Sequence, residues 1–250
     1  MEIKLGNIEN YLHKKIREKG TVHLTLFDPE KINLKTASRI ASEAEKAGTS
    51  AILLGGSTIC LPHQVDFLAK EIKKSVNIPL IIFPGNITSV SRFADSILFM
   101  SLLNSNNPYY LVDVQILSAS TVKKYRLEAI PTAYIILGSG GTAGFIGHAR
   151  PIPYEKPDIT FMYSIAAQYM GMRLIYLEAG SGAKEPIPAK VISTVKHEVS
   201  IPLIVGGGIR KKKDVRAAAK AGADLLVTGT VVEDTSRVKA RLSELIKEIR

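Results

Sequence analysis

The segment LIYLEAGSG, residues 174–182, joins a short apolar run directly to a glycine-rich turn. The same arrangement recurs in LIVGGG (203–208) and LLVTGT (225–230). Short branched apolar runs are typical of strands buried in a parallel sheet. Glycine lets backbone N–H groups approach an anion closely, and a turn that enters a helix directs several of them at one point. One such turn often only reverses the chain, but three predict a phosphate site at the carboxyl ends of neighbouring strands.

The apolar runs predict eight strands, separated by amphipathic stretches that predict helices. The strand predictions are 22–27, 51–54, 80–83, 97–101, 133–137, 174–177, 203–205 and 225–227. The helix predictions are 34–47, 64–75, 109–125, 158–170, 189–198, 212–221 and 236–249. Eight strand–helix units close most economically into a (β/α)8 barrel, whose catalytic loops follow the strands. We therefore predict an α/β fold, a single (β/α)8 TIM barrel domain over residues 1–250, with an open doubly wound sheet as the alternative.

Two connections depart from the repeating pattern. Residues 84–96 contain too few helix-compatible residues for a full outer helix. A gap in the helical ring would expose an apolar groove beside Phe83, Phe99 and Met100, although a short loop covering the strands is an equally open alternative. Residues 138–153 carry five glycines. This composition predicts a mobile active-site loop.

The composition favours small anionic ligands over nucleic acid. The 250-residue chain has a formal net charge of +10, which suits phosphate esters, nucleic acid or an acidic membrane surface. The basic run 210–213 has no interleaved aromatic residues for base stacking, which argues against nucleic acid. The single cysteine, Cys60, and the lack of an apolar stretch long enough to cross a bilayer predict a cytoplasmic protein with at most peripheral membrane contact.

Acidic and hydroxyl residues follow the first two predicted strands. Asp28 is expected at the mouth of the barrel, where its carboxylate could bind Mg²⁺ together with substrate phosphates. Alternatively, Asp28 only caps the turn before Pro29. Ser57 and Thr58 offer hydroxyl groups on the neighbouring loop, and either could instead cap a helix.

Glu178 is an acidic residue within a predicted phosphate site. Its carboxylate would repel phosphate unless it contacts another part of the ligand, and a hydroxyl group whose proton it accepts is the natural target. A structural pairing with a cation is the alternative. Tyr176 shares the same strand face and could orient the ligand or simply fill the core. The five histidines lack metal-ligand spacing, and no serine lies in a nucleophile elbow, which argues against zinc sites and hydrolase triads.

Five motifs together resemble the geranylgeranylglyceryl phosphate synthase family over nearly the whole chain: FDPEK (27–31), GGST (55–58), GGTAG (140–144), YLEAGSG (176–182) and VGGGIR (205–210). That family also includes heptaprenylglyceryl phosphate synthases. The resemblance implies a barrel whose outer helix after the third strand is shortened or replaced. It also implies a Mg²⁺-dependent prenyltransferase that joins sn-glycerol 1-phosphate to geranylgeranyl diphosphate, and we expect a homo-oligomer.

The resemblance also implies roles for individual residues. Asp28 and Ser57 would bind the metal, and Glu178 would contact the glycerol hydroxyls. The glycerol phosphate site would consist of Tyr176, Leu177, Glu178, Ala179, Gly180, Ser181, Gly182, Gly207, Gly208, Gly229 and Thr230. The glycine-rich loop departs from the family pattern, because Gly138-Ser139 replaces a Glu-Pro pair. A longer prenyl substrate and a phosphosugar isomerase-like barrel are the alternatives.

Overall fold

The computed structural model describes residues 4–56, 61–233 and 237–249, so that Ser57, Thr58 and Cys60 lie outside the described residues. Eight parallel strands pair in chain order, and β8 pairs with β1 to close the barrel. The predicted (β/α)8 TIM barrel is therefore confirmed. The strands are β1 (Val22–Phe27), β2 (Ala51–Leu54), β3 (Leu80–Ile82), β4 (Ser96–Leu102), β5 (Glu128–Ile136), β6 (Leu174–Glu178), β7 (Leu203–Gly206) and β8 (Leu225–Thr228).

Helices surround the barrel and follow most of its strands. They are α1 (Asn7–Lys19), α2 (Ala37–Ala47), α3 (Pro62–Ser75), α4 (Val114–Tyr125), α5 (Gly141–Ile146), α6 (Pro157–Tyr169), α7 (Ala189–Glu198), α8 (Lys212–Lys220), α9 (Thr230–Glu233) and α10 (Val238–Ile246). A π-helical turn, Tyr109–Asp113, leads into α4, and a 3-10 turn, Lys247–Ile249, follows α10. The predicted start of the last helix, Ser236, lies outside the described residues.

The connection between β3 and β4 has a single 3-10 turn, Ile87–Ser89, in place of an outer helix. The Asn86 side chain caps this turn, because its Oδ1 accepts a hydrogen bond of 2.8 Å from the backbone N–H of Thr88. The expected gap in the helical ring is present. Phe99 and Met100 on β4 are consequently only half-buried.

Several parts of the structure, including the short helix α9, differ from the predictions. Helix α1 precedes β1, where no helix was predicted. Strand β5 begins at Glu128, five residues before the predicted start, and Pro131 lies within it. Proline cannot donate a ladder hydrogen bond and therefore obscured the strand signal. The predicted mobile loop 138–153 contains helix α5.

The side chains of the barrel separate into two apolar layers, because neighbouring residues on a strand point to opposite faces. On β6, Tyr176 lies in the layer inside the barrel, whereas Ile175 and Leu177 lie in the layer between strands and helices. Leu12 of α1 packs with the inner layer. Helix α1 therefore closes the amino-terminal end of the barrel and leaves the carboxyl end as the accessible mouth.

Candidate active site

A polar pocket of about 860 Å³ lies at the carboxyl ends of the strands. Its lining includes most of the predicted site residues: Asp28, Tyr176, Glu178, Gly180, Ser181, Gly182, Gly207, Gly208, Gly229 and Thr230. The loops after β1, β6, β7 and β8 thus bring together the residues that the sequence singled out, as the barrel architecture requires.

Two predicted residues do not present their side chains to the pocket. Leu177 and Ala179 belong to the apolar layer between the strands and the outer helices. Strand alternation explains this position, because Tyr176 and Glu178 take the inward face. Any contact of Leu177 or Ala179 with a ligand would have to involve backbone groups. Ser57, the second predicted metal ligand, lies outside the described residues.

The turn after β7 is shaped by glycine. Gly207 has a φ of +82°, a conformation that is costly for other residues. A Cβ atom at this position would lie 2.5 Å from Oε1 of Glu178. The glycine therefore lets the turn approach the carboxylate and leaves its backbone at the pocket wall.

Glu178 is buried at the mouth and has no charged partner among its described contacts. Its Oε1 accepts a hydrogen bond of 2.7 Å from the backbone N–H of Gly180. Burial raises the pKa of Glu178 to about 7, although this hydrogen bond and the nearby phenols of Tyr176 and Tyr134 oppose the shift. A carboxyl group with a pKa near neutrality can exchange a proton with a ligand at physiological pH.

Three aromatic rings lie beneath Glu178 inside the barrel. Phe83 stacks on Tyr176 with ring centroids 5.1 Å apart, and Tyr134 meets both rings edge to face. The Tyr176 hydroxyl is buried and makes no hydrogen bond of normal geometry with the described residues. The phenol lies close enough to Glu178 to favour the ionised form of that carboxylate.

Asp28 lies directly after β1, and its side chain is 14% exposed. Oδ1 accepts a hydrogen bond of 3.1 Å from the backbone N–H of Glu30, while Oδ2 is 3.7 Å from Nζ of Lys31. A Cβ atom on Gly56 would lie 2.8 Å from Oδ1, so glycine is needed for this approach. Burial raises the pKa of Asp28. The hydrogen bond from the backbone N–H of Glu30 and the charge of Lys31 oppose this rise.

The surroundings of Asp28 fit a cation for which the protein supplies only some of the ligands. Lys31 already places a positive charge between the carboxylates of Asp28 and Glu233. In the described part of the chain, no group of three or more His, Cys, Asp or Glu side chains could enclose a metal ion. Mg²⁺ commonly takes one or two carboxylates and completes its shell with water and substrate phosphates. The donor set at Asp28 therefore suits Mg²⁺ bound together with a phosphorylated substrate.

The predicted apolar groove is present on the barrel flank, with about 790 Å³ of space. It runs beside Phe83, Phe99 and Met100, below the short turn that replaces an outer helix. Three residues line both this groove and the polar pocket, namely Gly56, Phe83 and Tyr134. The two cavities therefore meet at the aromatic rings.

Some residues that line the polar pocket were missed by the sequence interpretation. Tyr134 appeared only as one residue of an apolar strand, although its alternation with Ile136 places it on the inner face. Glu233 is remote from Asp28 in sequence and had no local signal.

His23 is structural, because its ring nitrogens hydrogen bond with Thr49 and Thr228 at 2.8 and 2.9 Å. Burial lowers the pKa of His23 to about 3, so its ring is neutral.

A closed barrel of eight parallel strands, with glycine turns at its mouth and an apolar groove on its flank, defines a TIM barrel. The PcrB family model matches residues 13–249. The chain therefore belongs to the PcrB family.

Relatives with assigned names cover nearly the whole chain. Geranylgeranylglyceryl phosphate synthase of Thermococcus kodakarensis is 47% identical, over 99% of both chains. The enzyme of the same name from Methanothermobacter thermautotrophicus is 48% identical, over 96% of this chain and 97% of its own. The crystal structure of (S)-3-O-geranylgeranylglyceryl phosphate synthase from Thermoplasma acidophilum, in complex with its substrate sn-glycerol-1-phosphate, superposes with a TM-score of 0.91 and 41% identity. That superposition covers 95% of this chain and 97% of the other.

The helices of the structure are short compared with membrane spans. Among the described residues, none is both long enough and apolar enough to cross a bilayer.

Proposed function

We propose that this chain transfers a geranylgeranyl group from its diphosphate to the primary hydroxyl of sn-glycerol 1-phosphate. The products are 3-O-geranylgeranyl-sn-glyceryl 1-phosphate and diphosphate. The observation that carries the proposal is the junction of the apolar groove with the polar pocket at Gly56, Phe83 and Tyr134. An apolar chain in the groove and a phosphorylated alcohol in the pocket would meet there. The names of the relatives support the same reaction.

Glycerol phosphate would bind to the glycine turns after β6, β7 and β8. Ser181, Gly208 and Thr230 line the pocket, where backbone N–H groups and hydroxyls can contact a phosphate. The relative from Thermoplasma acidophilum binds sn-glycerol-1-phosphate, which supports this class of ligand. The glycerol backbone would extend from this end of the pocket towards Glu178.

Glu178 would act as the general base. As the glycerol oxygen bonds to C1 of the prenyl group, the carboxylate takes the hydroxyl proton. The C1–O bond to diphosphate breaks at the same carbon, and its electron pair leaves with the diphosphate. The phenol of Tyr176 would support this role, because it favours the ionised form of the Glu178 carboxylate.

Positive charge develops on the allylic carbon as its bond to diphosphate weakens. The rings of Phe83 and Tyr134 lie where groove and pocket join, and aromatic faces stabilise a nearby cation by about 0.5–2 kcal/mol. Asp28 would hold Mg²⁺, with Ser57 as the second proposed ligand. When bound, Mg²⁺ neutralises charge on the diphosphate and makes it a better leaving group.

Homo-oligomerisation and a cytoplasmic location belong to the same proposal. Large apolar side chains are exposed on α5 and at the end of α6, including Phe145 (84%), Tyr169 (81%) and Met170 (68%), and such surfaces favour self-association. A single cysteine suits a reducing compartment. Sedimentation analysis would give the size of the assembly.

The test is product formation from labelled sn-glycerol 1-phosphate, Mg²⁺ and prenyl diphosphates of several lengths. We expect the geranylgeranyl ether as the main product, and preference for a much longer chain would favour the heptaprenyl alternative. Asp28→Asn should reduce turnover at least about 100-fold, because the metal loses its carboxylate. Asp158→Asn, which removes an exposed carboxylate on α6, is the matched control. No prenyl transfer by the wild-type protein, or near-normal turnover by Asp28→Asn, would contradict the proposal.

A further inference from the structure

The loops after β1 and β8 bring three charged side chains together at the rim of the pocket. Lys31 lies in the turn after β1, and Glu233 ends helix α9 after β8. Nζ of Lys31 is 3.0 Å from Oε1 of Glu233 but 3.7 Å from Oδ2 of Asp28. The shorter distance is a hydrogen bond, whereas the longer one exceeds normal hydrogen-bond length. The ammonium group is therefore held by Glu233 and only lies near Asp28.

This arrangement matters because an ammonium group and a divalent cation compete for the same carboxylate oxygen. Oδ1 of Asp28 already accepts the backbone N–H of Glu30, so Oδ2 is the oxygen that faces Lys31. Lysine has a long flexible stem and could move onto Oδ2 if nothing held it elsewhere. The Lys31 side chain is 42% exposed and carries the usual positive charge of lysine at neutral pH.

We propose that Glu233 is a positioning residue, which holds the ammonium group of Lys31 away from Asp28 and so keeps that carboxylate available to a divalent cation. The inference rests on the proposed metal-binding role of Asp28. It differs from a role of Glu233 as a metal ligand, because Glu233 acts through Lys31. Loss of Glu233 should therefore harm cation binding only while Lys31 is present.

The experiment measures Mn²⁺ binding to the full-length protein by electron paramagnetic resonance, without substrates. Mn²⁺ serves as the probe because it shares the preference of Mg²⁺ for octahedral oxygen ligands. The proteins compared are wild type, Lys31→Met, Glu233→Gln and the double variant. Asp28→Asn reports separately on the proposed metal site.

We expect Glu233→Gln to weaken Mn²⁺ binding about fivefold, because Lys31 then pairs with Asp28. Lys31→Met should tighten binding about twofold in the wild-type background but about tenfold in the Glu233→Gln background. The double variant should bind Mn²⁺ within about twofold of wild type. With substrates present, Glu233→Gln should raise the Mg²⁺ concentration for half-maximal turnover by a similar factor while kcat stays nearly unchanged.

Equal effects of Lys31→Met in the two backgrounds would overturn the inference, because Glu233 would then act on the cation independently of Lys31. A double variant that binds as weakly as Glu233→Gln would show instead that Glu233 is a ligand. If Asp28→Asn leaves Mn²⁺ binding unchanged, the proposed metal site itself fails. The pair Lys14 and Glu18 on α1, with 3.9 Å between Nζ and Oε1, provides the control for equal changes of charge.

Discussion

Two buried glutamates lie at opposite ends of the barrel and differ in their partners. Glu9 on α1 is fully buried at the closed end, and both of its carboxylate oxygens accept hydrogen bonds from Nε of Arg173, at 2.8 and 2.9 Å. Glu178 at the open end is 5% exposed and accepts a hydrogen bond from the backbone N–H of Gly180. The first is an ion pair, and the second is a carboxyl group with a pKa raised to about 7.

The difference separates a structural carboxylate from the one that we propose as the general base. A buried charge is tolerated when a cation and hydrogen bonds compensate its desolvation, as Arg173 does for Glu9. The same end is reinforced by Glu128, whose carboxylate accepts the backbone N–H groups of Ile8 and Glu9 at 2.8 Å and caps α1. Without such compensation, Glu178 costs stability when ionised but can accept a proton near neutral pH.

Glu178→Gln tests the reactive end and should have the largest effect. We expect prenyl transfer to fall about 10²- to 10⁴-fold, because glutamine cannot accept the proton. The pKa of Glu178 is raised from 4.5 to about 7 in the folded protein, so its ionisation at pH 8 destabilises the folded state. Because glutamine cannot ionise, the free energy of unfolding should rise by about 2–3 kcal/mol at pH 8. Turnover assays and urea unfolding at pH 8 measure the two quantities. Unchanged turnover would remove Glu178 from the reaction.

Glu9→Gln tests the closed end and should lower stability while leaving turnover nearly unchanged. The variant leaves Arg173, whose side chain is one quarter exposed, without its charge partner, so we expect a loss of about 2–3 kcal/mol in the free energy of unfolding. The kcat of the folded protein should stay near that of wild type. Adding Arg173→Met should recover part of the stability. A stable Glu9→Gln protein with impaired turnover would break the comparison.

The pH dependence of kcat/KM tests the pKa of Glu178 directly, with a smaller expected effect. Activity should rise with pH through an apparent pKa of about 7 and then level off, because the base must be deprotonated. Tyr176→Phe should move this rise to higher pH, since the phenol favours the ionised carboxylate. We expect a loss below about tenfold in kcat/KM at pH 7. If kcat/KM of Glu178→Gln rises with pH through the same apparent pKa, the titration belongs to another group.

Prediction from sequence succeeded where the local pattern of apolar residues agrees with the burial of those residues in the fold. Strands β1 and β2 match their predicted bounds, because β2 is a short apolar run and β1 is mostly apolar, and nearly all residues of both strands are buried. Strand β5 was predicted too short, since Pro131 contradicts local strand preference while its neighbours provide the pairing. Helix α1 carried a usable signal, because Ile8, Leu12 and Ile16 recur every four residues. The pattern of eight strand–helix units does not include a helix before the first strand.

The glycine turns, the position of Asp28 directly after β1 and that of Glu178 at the end of β6 could be predicted from local sequence, because each requires only a strand and the turn that follows it. The association of Lys31 with Glu233, and the junction of groove and pocket at Phe83 and Tyr134, depend on tertiary structure. Pairing of β8 with β1 brings the loops of Lys31 and Glu233 together across about 200 residues of chain. Such contacts arise when the whole barrel closes, and no short segment contains the information that specifies them.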